Sequence, residues 1–227
     1  MTDTPDTAYR NPATARVTSL HKARPNTDAG MTPRLSQVEA YWNALCHAGV
    51  PPKRAQIDPR GIETALEYAF IAERIAQGEA RLRVAGSHLS DLMGMEMRGM
   101  PLSSLFLPAS RRGLSNSIAA MFDTPAILRL RLSGETGLGK PALRAHALLL
   151  PLRGDDGAVN RALGCLVSDG AIGRCPRRFA IDATDIRPAF AQPAELASQP
   201  ARGLAEPVVP FRRPPHDKAH LRLVTSD

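Results

Sequence analysis

Residues 81–106 read RLRVAGSHLSDLMGMEMRGMPLSSLF, and the fold turns on how this run divides. Leu82 and Val84 alternate with Arg81 and Arg83, the period of a strand with one wet face. From Ser87 the alternation stops. Short helical turns follow, broken at Gly94, Gly99 and Pro101, and the run closes on the apolar segment Pro101–Phe106. A strand therefore feeds a compact helical stretch without a long linker.

Working outward, LEYAFIAERIA (66–76) fits helix or strand by pattern alone. A turn at Gly78–Glu79 ahead of the next strand favours a hairpin, and so a strand. Further upstream, Val38, Trp42 and Leu45 recur at helical spacing within 35–49, and Gly49 supplies the stop. PPKRAQIDP (51–59) is a rigid connection, and Asp58 before Pro59 predicts an N-capped short helix over 59–66. Downstream, PASRRGLSNSIAAMFD (108–123) sets Leu114, Ile118, Met121 and Phe122 on one helical face. Three strands close the domain: AILRLRL (126–132), ALRAHALLLPL (142–152) and RALGCLVSDG (161–170). The order predicts an α+β fold, a five-stranded antiparallel sheet with short helices gathered on one face.

The loop SGETGLGKP (133–141) has the glycine and lysine spacing of a phosphate-binding loop. Such a loop needs a helix behind it, whose amides face the phosphates, and Ser or Thr after the lysine to hold magnesium. Here a strand follows and Pro141 takes the last position. Gly134, Gly137 and Gly139 are read instead as turn residues of a hairpin.

The 227 residues carry a net charge of +7, spread over both ends and the middle rather than held in a basic arm. With aromatics at 4%, stacking platforms for single strands are scarce, and a dedicated nucleic-acid reader is not expected. Cys46, Cys165 and Cys175 form no Cys-x-x-Cys pair, which fits a reducing cytoplasm. The polar N-terminus lacks a signal peptide's apolar run, and no stretch approaches a membrane span. Residues 1–34 and the proline-rich 176–227 are predicted to be mostly disordered tails around a domain at 35–175, with a small apolar knot at Leu221, Leu223 and Val224.

Few residues suggest chemistry. His216 and His220 copy a zinc-protease spacing, but in a tail after Pro214–Pro215, so no metal site is expected. Neighbouring residues on a helix diverge by about 100°, so Cys46 and His47 do not pair as nucleophile and base. Asp155–Asp156 lie in a turn, and His88 and His146 read as structural. No enzyme is expected.

The spaced motifs of 81–106, then the long helix and three final strands at 109–169, resemble a PAS domain. With YWNAL, PPKRAQIDP, ALLLPL and RALGCL they are similar to a family of bacterial stand-alone PAS proteins. The resemblance implies small-ligand sensing between sheet and helices, or dimerisation and partner contact, in signal transduction. No output domain follows, which favours a regulatory or adaptor role acting through protein contacts. The Asn-Cys-Arg-Phe-Leu-Gln run of the flavin-binding subfamily is missing, and His88 is the lone position for an axial haem ligand. The expectation is that no cofactor is held, neither haem nor flavin. A ligand pocket, if present, is lined by Phe70, Leu82, Val84, Leu92, Met93, Met97, Leu130 and Leu149. Arg81, Arg83, Arg129 and Arg131 face outward from two strands and suit an acidic protein partner; a homodimer is also expected.

Overall fold

The computed structural model describes residues 33–190; most of the expected tails, residues 1–32 of the first and 191–227 of the second, with His216, His220 and the apolar knot, lie outside them. Helix α1 (Pro33–Leu45) leads, followed by 3-10 turns at Arg54–Gln56 and Pro59–Tyr68. The second of these starts as expected, with the Asp58 carboxylate accepting from the Arg60 amide at 3.0 Å and Pro59 at the first position. Strands β1 (Ala69–Ala76) and β2 (Glu79–Ala85) form the hairpin, turned at Gly78 with φ +69°. Helix α2 (Ser87–Met93) ends on Gly94 in the left-handed conformation, and a 3-10 turn spans Leu102–Leu105. Helix α3 (Pro108–Asp123) then leads into β3 (Ala126–Gly134), β4 (Arg144–Arg153), β5 (Val159–Asp169) and β6 (Phe179–Pro188).

One antiparallel sheet runs in the order β2-β1-β5-β4-β3-β6. It has six strands where five were expected. The sixth, β6, lies in the segment read as the start of the proline-rich tail at 176. It pairs with β3 along nearly its whole length, and Phe179 is fully buried. The alternating Phe179, Ile181 and Ala183 carry a weak strand signal that the proline content downstream obscures.

The helices do not gather on one face. On the inner face α2, the Leu102–Leu105 turn and α3 enclose a cluster that includes Phe70, Leu82, Met97, Ile118, Leu130 and Leu149. On the outer face α1 and the Pro59–Tyr68 turn cover a second cluster of Leu35, Val38 and Trp42 against Ile71, Leu148, Leu150, Leu163 and Val167. The Trp42 indole N–H donates to the Pro151 carbonyl at 2.9 Å and its ring stacks on Phe190. A sheet covered on both sides carries continuous apolar runs rather than alternation. Leu148–Leu150 and Leu163–Val167 are such runs, so the expected wet arginine face is mostly a second core.

Candidate functional site

The candidate site is the inner face at the middle of the sheet. Gly164 of β5 stands in register with Phe70 of β1 on one side and Leu149 of β4 on the other. A methyl group on Gly164 would fall 2.1 Å from the Phe70 ring, so the ring occupies the space that any other residue at 164 would need. Phe70 is 2% exposed. Seven of the eight residues expected to line a pocket meet in this one cluster: Phe70, Leu82, Leu92, Met93, Met97, Leu130 and Leu149.

Val84 does not join them. Ile71 pairs with Val84 and Ala72 with Leu82, which leaves Arg83 as an extra residue in β2. One inserted residue reverses the side of everything beyond it. Val84 is thereby 48% exposed, opposite Ile71 of the outer cluster. A bulge leaves no mark in an alternating sequence, so the pattern alone places Val84 with Leu82.

The expected pocket lining omits Met121, which was read only as part of the apolar face of its helix and is fully buried in the cluster, and Met100, packed against it. With Met93 and Met97 they give the helical wall four unbranched thioether side chains, which refill irregular space at low cost. Met97 lies beyond the end of α2, and Met100 and Met121 come from separate segments that only the fold unites.

His88 sits at the rim. Its Nε2 lies 3.0 Å from the Ser168 hydroxyl and its ring tilts against Tyr68 at 4.8 Å. Burial holds its pKa below the usual histidine value, so it favours the neutral imidazole. Burial likewise lowers His146, with Arg131 beside it acting in the same direction. The Cys46 and Cys165 thiols are poor nucleophiles, because burial pushes the first up to about 11 and the second up to about 12.

The loop after β3 is a hairpin connection. Gly137 and Lys140 bridge each other, Gly139 has φ +73°, and the Lys140 ammonium is bonded to Glu135. That bond holds the Glu135 carboxyl below the usual carboxylate range. Beneath the loop lies Arg177, 0% exposed, which nothing in the sequence singled out. Its guanidinium donates to the carbonyls of Pro141 at 2.7 Å, Glu135 at 3.1 Å and Ala171 at 3.4 Å, and also to that of Ile172. Asp156 caps its turn by accepting from the Ala158 amide at 3.1 Å.

The four outward arginines separate. Arg129 is engaged by Glu39 of α1 and by Asp185 at 3.8 Å, so it ties α1 and β6 to the sheet. Three strands stand between its strand and that of Arg81 and Arg83. Arg81 and Arg131 are exposed, and Arg83 is bonded to Glu73 while still half open to solvent. They do not form one continuous patch.

A family model described as "PAS domain" matches residues 31–167. Among solved structures the chain is similar to an "RNA-binding Light-Oxygen-Voltage Receptor", at 19% identity and a TM-score of 0.34. That match covers 54% of this chain and 37% of the other, so the chain spans well under half the length of that relative. No match was found among curated proteins. The expectation that no cofactor is held is corrected by these findings. The match to the PAS family over residues 31–167 is what overturns it, because the resemblance above associates that family with small-ligand sensing.

Proposed function

The chain belongs to the PAS domain family, and on that premise we propose that it is a non-catalytic sensory module whose inner face admits a small ring-bearing ligand. The observation that carries this reading is the Phe70 ring lying on Gly164. A strand glycine with a ring in place of its side chain marks a spot where a flat group can approach the sheet backbone. The methionines opposite would refill around a ligand ring as Phe70 rotates away. Occupancy would shift the helical wall, and a protein partner would read the shift.

The test is a thermal-shift survey of the full chain against ring-bearing molecules, with flavin mononucleotide and haem included. A true ligand at 100 times its Kd adds about 2.7 kcal/mol, which for a domain of this size raises Tm by roughly 5–10 °C. The gain should vanish in Leu149→Trp, which fills the space beside Gly164. No molecule raising Tm, or equal gains in the filled variant, would count against an interior site.

A second reading keeps the acidic protein partner, narrowed to the β2 end, because Arg81 is exposed there and Arg83 stays half open beside Glu73, while Arg129 is more deeply engaged. Arg81→Glu with Arg83→Glu should abolish capture of such a partner, and unchanged capture would sink the idea.

A further inference from the structure

The two edges of the sheet are treated differently. At β2 the edge is capped at its middle: the Leu82 amide donates to the Met100 carbonyl at 2.9 Å and the Gly99 amide donates to the Leu82 carbonyl at 2.7 Å. At β6 the first half is closed too, with the Leu107 amide on the Phe179 carbonyl and the Ile181 amide on the Ser110 hydroxyl. The second half is open among the described residues. Ala189 donates inward to Pro125, and Ile127 faces Arg187 as Arg129 faces Asp185. By the alternation of an antiparallel ladder, Thr184 and Ile186 therefore turn their amides and carbonyls away from β3. Pro188, which has no amide to offer, occupies the next outward position.

From this edge we infer that two copies of the chain pair through β6, antiparallel, about a twofold axis at Ile186. The sequence Asp185–Ile186–Arg187 is self-complementary in that register. Ile186 would exchange both backbone bonds with the partner's Ile186, and the Thr184 amide would reach the carbonyl of the partner's Pro188. Asp185 and Arg187, bonded to each other along the strand at 2.9 Å, would also face the partner's Arg187 and the partner's Asp185 on the outer side of the joined sheet. The missing amide of Pro188 costs nothing to the centre of this ladder. Ile186, 38% exposed, gains an apolar neighbour in its own copy across the axis. Any other register loses one or both charge pairs. Because each β6 edge is used up by its partner about the twofold axis, and the middle of the β2 edge is capped at Leu82, the pairing closes at two subunits. This proposal is independent of the interior site and goes beyond it.

The test is sedimentation velocity of the full chain over a wide range of concentration. The contact is short, so a weak dimer is expected, with association visible by about 100 μM. Arg187→Asp sets carboxylate against carboxylate twice and should raise the dimer Kd about 10-fold or more. Combining it with Asp185→Arg restores opposite charges and should recover dimer. Ile186→Pro removes only the outward amide, leaves the pairing with β3 intact, and should also weaken association. Circular dichroism shows whether each variant is folded. Wild type that stays monomeric to about 500 μM, or dimerisation unaltered by Arg187→Asp and by Ile186→Pro, overturns the inference.

Discussion

Gly164 and Phe70 share one space, and their energetics should be coupled. Phe70→Ala removes a buried ring and should cost about 3–5 kcal/mol of stability. Gly164→Val forces a side chain into the ring and should cost about 1–3 kcal/mol. Phe70→Ala with Gly164→Val should cost less than the sum of the two single changes, because the smaller side chain makes room. Urea denaturation of the four proteins checks this, and strict additivity would mean that the two residues do not compete. Seven of the eight residues expected on the inner face lie there, because apolar identity at strand and helix spacing survives folding unchanged. Val84 was not, because the bulge at Arg83 is a feature of pairing between strands. Arg177 was equally silent, since a buried cation bonded to carbonyls has no sequence signature.

His88 makes the second residue-scale expectation. Its pKa is lowered in the folded chain, so the unfolded chain binds its proton more readily. Stability is then full above the ordinary histidine value near 6.5 and falls as pH drops below it. His146 contributes in the same direction. Replacing His88 with Asn should flatten part of the slope of stability against pH below about 6.5, measured by urea midpoints at several pH values. An unchanged slope would place the titration elsewhere.

Among the elements, α1 converts the outer face from a wet sheet into a core. Trp42 is its anchor, through buried area, the bond to Pro151 and the stack on Phe190. Trp42→Ala should cost about 3–5 kcal/mol, and hydrogen exchange should rise first in α1 and in the outer-face strands beneath it. Uniform loss of protection across the sheet would show instead that α1 does not move as a unit. The β3–β4 hairpin depends in the same way on Arg177, and Arg177→Met should leave carbonyls without donors at about 1–3 kcal/mol. Fast amide exchange confined to residues 135–143 and 171–178 is the expected signature. The strands, the hairpin and the helix starts were legible from period and capping. The second layer was written in the unbroken apolar runs of β4 and β5, which a reading based on the alternating arginines passed over. The sixth strand was hidden by its setting, because the prolines after it suggest a tail while its apolar residues suggest a strand.

At the scale of the whole molecule, the described residues place an apolar, methionine-bearing interior between sheet and helices, a helix covering the opposite face, and a half-open strand edge at β6. Such an arrangement suits a module that changes its contacts when its interior is filled. Loss of the edge pairing would leave that claim standing, whereas an interior that never holds a ligand would not. The most direct measurement is native mass spectrometry of the purified full chain, compared with its mass after denaturation. A native mass above 24.4 kDa per subunit, with the surplus released on denaturation and absent from Leu149→Trp, is the predicted result. Native masses that equal the bare chain or its whole multiples, even after exposure to every ligand of the thermal survey, would contradict it.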